Sequence, residues 1–504
     1  MRSTTDSPFA GPGDSAYAAL LARDARFDGR LFVGVKSTGI YCRPVCRVRT
    51  PLQRNCRFFA NAAGAEAAGF RPCLRCRPEL APGLSLVDSS QVLAHHAARL
   101  IDDAVHDGQD LYLPAAAARL GVTDRHLRRV FQQAHGVSPV DYLGTRRLLL
   151  AKQLLTDTTL PVTAVAHASG FASLRRFNAA FADRYRLSPS ALRKERPGAP
   201  SAADGALTVR LGYRPPYDVD GVLRFFSDRR IAGVEAVEGL TLRRTLAVQR
   251  SGQVLAGWLA GRFVPERHEL HVSVSPSLVP VLGTVLQRLR HALDLDADPA
   301  LIDPVMATLP RPPRAGLRVA SGVDGFEMGV RVILGQQVTV AAARTLTQRL
   351  VDTLGEPVET PFADLGRLFP TAAVLAAAAP EQIGRLGIVR QRVHALQALA
   401  AAVNDGDLSL QRGAPLEPTL AALRALPGIG EWTVQLIAMR ALAWPDAFPC
   451  TDIGVLNALG TRDLKAVESM AQAWRPWRAY AVMGLWQSLE AAPAAKPLRH
   501  ETGE

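Results

Sequence analysis

Two short-spaced cysteine pairs, Cys42-x3-Cys46 and Cys73-x2-Cys76, limit what the first 80 residues of this chain can fold into. Each pair can offer two thiolates from one tight turn, and 26 residues separate the pairs, an arrangement that suits tetrahedral Zn(II). The surrounding sequence is rich in Gly, Arg and Cys and only weakly periodic. A bound metal would therefore supply folding free energy that the few large apolar side chains cannot. Five of the six cysteines of the 504-residue chain fall between positions 42 and 76. The opening MRSTTDSPFAGPGDSAY has no apolar core of a secretion signal, which points to the reducing cytoplasm. There, clustered cysteines read as metal ligands rather than disulfides. Cys56 lies outside both pairs and reads as a buried thiol. On spacing alone the expected zinc site is a structural staple.

The residues around the pairs add a second reading. Ser37-Thr38-Gly39-Ile40-Tyr41-Cys42-Arg43-Pro44-Val45-Cys46-Arg47, Asn55-Cys56-Arg57-Phe58-Phe59-Ala60-Asn61-Ala62 and Gly69-Phe70-Arg71-Pro72-Cys73-Leu74-Arg75-Cys76 closely resemble the N-terminal domain of the Ada-type adaptive-response protein. The resemblance implies one Zn(II) per chain on Cys42, Cys46, Cys73 and Cys76. It also implies that Cys42 accepts a methyl group from a methylphosphotriester in the DNA backbone. A zinc-bound thiolate is deprotonated at neutral pH yet nucleophilic, so the chemistry is sound. Methylation would turn an anionic ligand into a neutral thioether and so favour approach to phosphate. Arg43, Arg47, Arg49, Arg71, Arg75 and Arg77 are the expected phosphate contacts.

Charge agrees with a nucleic-acid partner. Residues 1–200 hold 28 Lys+Arg against 16 Asp+Glu, whereas the remaining 304 hold 31 against 30. A general abundance of arginine does not explain that asymmetry; phosphate contact does. Within this basic region a pair of similar units follow one another, Leu113–Leu143 and Leu160–Leu192, at a 47-residue offset. In each, a short Ala-rich helix meets a turn containing Gly121 or Gly170 and then a basic helix. Tandem units of this kind resemble the AraC-type helix-turn-helix domain. Thr123, Arg125, His126 and Arg129 in the first, and Ser173, Arg175 and Arg176 in the second, are placed to read a major groove.

After a stretch of linker composition, 195–206, the runs LTVRL, LRRTLAV and ELHVSVS read as strands. DVDGVLRFFSDRR and PVLGTVLQRLRHAL read as helices, and from about 301 the chain is helical with short Pro/Gly breaks. In this helical region Leu426-Pro427-Gly428-Ile429-Gly430, between ALRA and EWTVQLIAMRAL, is a helix-hairpin-helix. Its Gly-rich hairpin can hold a DNA phosphate, with a monovalent cation nearby, but reads no sequence. Asp452 follows 22 residues after Gly430, at the end of Phe448-Pro449-Cys450-Thr451-Asp452. That distance resembles the helix-hairpin-helix glycosylase superfamily, in which such an Asp promotes loss of a damaged base. A fixed carboxylate can stabilise oxocarbenium-like charge and activate water.

GYRPPYD (212–218), GFEMGVRVILGQQVTVAAA (325–343) and AQAWRPWRAYAVMGLW (471–486) closely resemble the AlkA-type 3-methyladenine glycosylase. The resemblance implies that Trp432 and Trp486 line the base pocket and that Gln337 occupies the DNA wedge position. Leu436 and Gln487 match two further pocket positions that are aromatic in relatives. The superfamily's strand-cutting lysine is replaced by Trp432, which implies a monofunctional glycosylase. No C-terminal cysteine cluster follows, so no iron–sulfur centre is expected.

The expected fold is multidomain, mainly α with α+β. A four-cysteine zinc domain spans 1–82 and a tandem helix-turn-helix domain 88–195. An α+β domain spans 207–302 and an all-α helix-hairpin-helix domain 303–490, with an unstructured tail after Trp486. The expected function joins excision of alkylated bases to a sacrificial methyl transfer that switches on transcription. Expected partners are double-stranded DNA, alkylated and promoter, and RNA polymerase. The chain is expected to be a monomer without membrane contact, because no run of about 18 apolar residues occurs. The rival reading is a pure regulator whose glycosylase half only binds DNA.

Overall fold

A computed structural model describes residues 14–81, 92–106, 113–119, 122–195, 206–250, 253–411 and 413–490. The N-terminal module is built on four short strands, β1 (Phe32–Val35), β2 (Ile40–Cys42), β3 (Cys56–Phe59) and β4 (Arg71–Pro72), in the order β3-β1-β2-β4. None exceeds four residues, too few to display alternation in the sequence, which is why only weak periodicity is legible there. The pairing matters for the cysteines. β2 runs parallel to β4 with Tyr41 opposite Pro72, so Cys42 and Cys73 follow one another off adjacent strand ends.

The helix-turn-helix units form as their capping residues dictate. Thr123 and Ser173 accept from the backbone N–H of His126 and Arg176 and start helices Asp124–His135 and Leu174–Tyr185. Phe177, Phe181 and Tyr185, spaced four apart, put their rings into the core on one face of the second helix. Helix Pro139–Asp157 links the units and opens with Ser138 as cap and Pro139 in its first turn. The turn expected at Gly121 lies outside the described residues, as does the linker stretch between Glu195 and Ala206.

The α+β domain carries an antiparallel sheet in the order β5-β9-β8-β7-β6, made of β5 (Leu207–Gly212), β6 (Glu235–Glu238), β7 (Thr241–Arg250), β8 (Gln253–Val264) and β9 (Glu269–Val274). Alternate residues Leu270, Val272 and Val274 are fully buried, as period two requires of a strand with one covered face. Helices Val219–Asp228 and Leu282–Ala292 lie where the apolar spacing placed them.

The apolar core does not stop between modules. One continuous cluster includes Phe131, Leu155 and Phe177 of the helix-turn-helix domain and Val209, Val272 and Val285 of the sheet domain. A second cluster fills the C-terminal helices. The last helix, Arg478–Glu490, runs on past Trp486, where an unstructured tail was expected. Its end is held because Trp486 bonds Asp452 and Gln487 bonds Asp218. The zinc module is anchored in turn: Arg30 pairs with Asp298 at 2.7 Å, and the buried Arg214 donates to the carbonyl of Asp28 at 3.1 Å. Among the described residues no helix is long and apolar enough to cross a membrane.

Candidate functional site

A cleft of about 1090 Å³ opens between the sheet domain and the C-terminal helices. Asp452 stands in its wall as the cap of helix Ile453–Leu459, accepting from Val455 N–H at 3.0 Å through Oδ1. Two indoles complete its bonding: Trp486 Nε1 donates to Oδ1 at 2.9 Å and Trp432 Nε1 to Oδ2 at 2.9 Å. Three N–H donors thus fix a carboxylate that still has lone pairs for a ligand in the cleft. The two tryptophans expected to line the base pocket are therefore also the groups that orient Asp452. No sequence signal distinguishes that second duty.

Trp432 comes from helix Glu431–Arg440, which starts at Gly430 of the hairpin. Pro427, Gly428 and Gly430 are exposed, as a phosphate-gripping turn requires. Ile429 is not: its side chain is buried and its N–H closes the turn onto Leu426 O at 3.3 Å. Ile429 therefore anchors the hairpin from inside rather than meeting DNA. Gln336 braces the same hairpin, donating to Gly428 O at 3.0 Å and Thr433 Oγ1 at 2.9 Å. Gln337 is exposed at the cleft mouth with φ 53, a left-handed backbone that a non-glycine residue holds only at a cost. Leu436 lines the cleft, but Gln487 does not: it donates to Asp218 Oδ2 at 3.1 Å and accepts from Arg314 N–H at 2.9 Å. Gln487 is thus a brace rather than a pocket residue. Sequence reasoning missed Phe225, Arg229 and Arg440, which also line the cleft. A lone arginine at the end of the apolar run VQLIAMR was the available signal for the last of these.

In the N-terminal module the ligand atoms of Cys42, Cys46, Cys73 and Cys76 all lie within 4.8 Å of one another. Tetrahedral zinc with bonds of about 2.3 Å needs sulfurs about 3.8 Å apart, so this donor set fits the metal. Cys73 N–H donates to Tyr41 O at 2.9 Å and Arg43 N–H to Cys76 Sγ at 3.4 Å, which hold the two pairs together. Cys56 is a buried free thiol outside the cluster, as expected.

Two of the arginines expected to meet phosphate are consumed internally. The Arg43 guanidinium pairs with Asp28 and donates to Cys76 O at 3.1 Å. Arg77 is buried between Glu79, at 2.9 Å, and Asp157. Arg47, Arg49 and Arg75 are exposed and Arg71 half-exposed, leaving these four facing outward. On the helix-turn-helix domain Arg125, Arg129, Arg175 and Arg176 are exposed on the two capped helices. Thr123 and Ser173 accept the first free N–H of these helices, at 3.3 Å from His126 N and 3.3 Å from Arg176 N, and each keeps its O–H as a donor.

The same four modules match described families in the same order. The metal binding domain of Ada matches residues 15–79, a helix-turn-helix domain 116–195, the AlkA N-terminal domain 208–324, and the HhH-GPD superfamily of base excision DNA repair proteins 330–478. Across almost the whole length, the chain is 36% identical over 495 residues to a probable bifunctional transcriptional activator/DNA repair enzyme AlkA of Mycobacterium tuberculosis, covering 95% of this chain and 96% of that one. The chain belongs to this family. Other relatives match one half of such a fusion each. DNA-3-methyladenine glycosylase 2 of Escherichia coli is 34% identical over 278 residues, 55% of this chain and 95% of that one. The bifunctional transcriptional activator/DNA repair enzyme Ada of the same organism is 34% identical over 155 residues, 31% of this chain and 42% of that one. In this AlkA-type fusion the cleft with Asp452 lies in the glycosylase-like half and the four-cysteine centre in the Ada-like half.

Proposed function

We propose that this protein repairs alkylated DNA and regulates that repair, with base excision in the cleft and methyl acceptance at Cys42. The observation that carries the excision reading is Asp452, held by two indoles in the wall of a cleft large enough for a nucleotide. A flipped base such as 3-methyladenine stacks on Trp432 and Trp486, whose π faces suit electron-poor alkylated purines. The glycosidic bond to C1′ then breaks with its electron pair leaving on the base. Asp452 stabilises the positive charge left on the sugar, water adds to C1′, and its proton passes to the carboxylate or to solvent. With Trp432 where a lyase would carry lysine, the product is an abasic site in an uncut strand. Pro427, Gly428 and Gly430 grip the backbone, with a monovalent cation at the hairpin, and Gln337 fills the space of the extruded nucleotide.

At the four-cysteine centre, Zn(II) held by Cys42, Cys46, Cys73 and Cys76 would keep these cysteines as thiolates at neutral pH. Cys42 Sγ attacks the methyl carbon of a methylphosphotriester; the S–C bond forms, the C–O bond breaks, and the pair stays on the phosphate oxygen. Loss of one negative charge at Cys42 then favours DNA, where Arg47, Arg71, Arg125, Arg129, Arg175 and Arg176 meet phosphates and bases of a promoter. RNA polymerase is the partner such an activator implies, and the chain acts in the cytoplasm, on the nucleoid, as a monomer.

Wild-type protein should release alkylated bases from methylated duplex DNA, and Asp452→Asn should lose at least about a hundredfold of that rate. Equal release by both would remove Asp452 from the chemistry; no release by either would leave a DNA-binding regulator. Mass spectrometry after incubation with methylated DNA should find one added methyl on Cys42. Its absence would reduce the zinc centre to a staple.

A further inference from the structure

Helix Glu431–Arg440 buries an otherwise apolar face, Val434, Leu436, Ile437, Ala438 and Met439, and ends in a buried cation. Arg440 donates to the carbonyl of Ala320 and to Met483 Sδ at 3.5 Å, and among the described residues it forms no ion pair. Desolvating a guanidinium with no carboxylate against it is costly, and methionine or leucine would fill the position without that cost. The charge is placed deliberately with respect to the aromatic wall of the cleft. The Arg440 guanidinium carbon lies 4.2 Å from the centroid of Phe225 and 5.3 Å from that of Trp486. Arg229 lies 4.1 Å from the same Phe225 ring. Burial pushes Arg440 well below the ordinary arginine range and Arg229 adds to this, while the Asp452 carboxylate works in the opposite direction. The Asp452 carboxylate, beside the proposed sugar position, and the Arg440 cation, one indole away from the base, therefore feel one another.

We infer that Arg440 is a specificity-determining residue of the excision reaction, one that biases the cleft towards bases that are neutral when bound and leave as anions. The inference rests on the excision reading above. When the C1′–N bond breaks, the electron pair goes to the base, so the charge on the base falls by one whatever its start. A cationic base such as N7-methylguanine leaves neutral. A neutral base such as hypoxanthine leaves as an anion until solvent protonates it. A fixed cation beside the base therefore speeds bond breaking for both. It treats the bound substrates differently, because it repels the cationic base and leaves the neutral one almost unaffected. For the cationic base the gain in rate and the loss in binding cancel in kcat/KM. For the neutral base the gain survives in full.

The test compares full-length wild type, Arg440→Met and Arg440→Lys on duplexes carrying a single N7-methylguanine or a single hypoxanthine. Met keeps the packing volume and removes the charge; Lys returns the charge. On N7-methylguanine, Arg440→Met should lower kcat and KM together, so that kcat/KM stays within about threefold of wild type. On hypoxanthine it should lower kcat/KM by about tenfold or more with KM unchanged, and Lys should recover most of that loss. If wild type releases only the methylated base, the parallel fall in kcat and KM remains decisive. Equal losses of kcat/KM on both bases, no change in kcat on either, or a Lys variant as impaired as Met would overturn the inference. Release of neither base by wild type would sink the excision reading itself and this inference with it.

Discussion

Gly454 has no room for a side chain. A Cβ there would sit 2.8 Å from both Cδ1 and Nε1 of Trp486 and 3.0 Å from Asp452 Oδ1. Its backbone is ordinary helix, so alanine would suit the helix by propensity while pushing the indole off the carboxylate. Gly454→Ala should therefore keep the melting temperature within a few degrees and reduce base release by about tenfold to a hundredfold. Full activity in a stable variant would mean that the Trp486–Asp452 bond does not position the carboxylate. The glycine itself is readable in the sequence, but its reason is not, because the indole it makes room for comes from a helix 32 residues further on. The same holds for Arg43 and Arg77. Their basic character suggested phosphate, and only the fold reveals that Asp28, Glu79 and Asp157 have claimed them.

At the scale of elements, what was legible followed from strong local chemistry. The repeat of a short Ala-rich helix, a turn and a basic helix placed the helices of the basic half, whereas the caps that start them, Thr123, Ser138 and Ser173, emerged only in the fold. β8 escaped because Gly257 and Gly261 interrupt QVLAGWLAGRFV, and its partner β7 supplies the order that the run itself lacks. Glu66 illustrates a charge between elements. On helix Ala62–Ala67 of the zinc module, its carboxylate accepts from Tyr41 OH at 2.9 Å and from Thr145 Oγ1 of the long linking helix at 3.2 Å. Burial pushes its carboxyl up to about 7 from the usual 4.5, against the pull of Arg184 and these donors. The folded state thus keeps a proton that the unfolded chain has released. The contribution is favourable below about 4.5 and is lost as the pH rises through about 7. Glu66→Gln should remove this dependence, so the melting temperature of the variant should gain on wild type between about pH 5 and about pH 8. Parallel pH profiles for the two proteins would show that Glu66 does not titrate with folding.

For the whole molecule, the docking of the zinc module is the feature least visible beforehand, because every contact in it joins distant residues. Gly212 meets the Leu80 carbonyl so closely that any Cβ would collide with backbone, and Arg30 reaches Asp298, the cap of helix Pro299–Met306. Gly212→Ala should consequently loosen the module from the sheet domain. Limited proteolysis should separate the module from the rest of the variant faster than in wild type, and unchanged cleavage would indicate that this contact carries no stability. Four modules were expected along the sequence, and their family boundaries agree with that order, but packing joins the second and third through one core.

That shared core has a consequence for inheritance. A substitution such as Phe177→Ala, aimed at the reader of promoters, opens a void in a cluster that also supports Val209 and Val272 beneath the cleft-bearing half. Damage to the gene's regulatory segment is then paid in repair capacity as well.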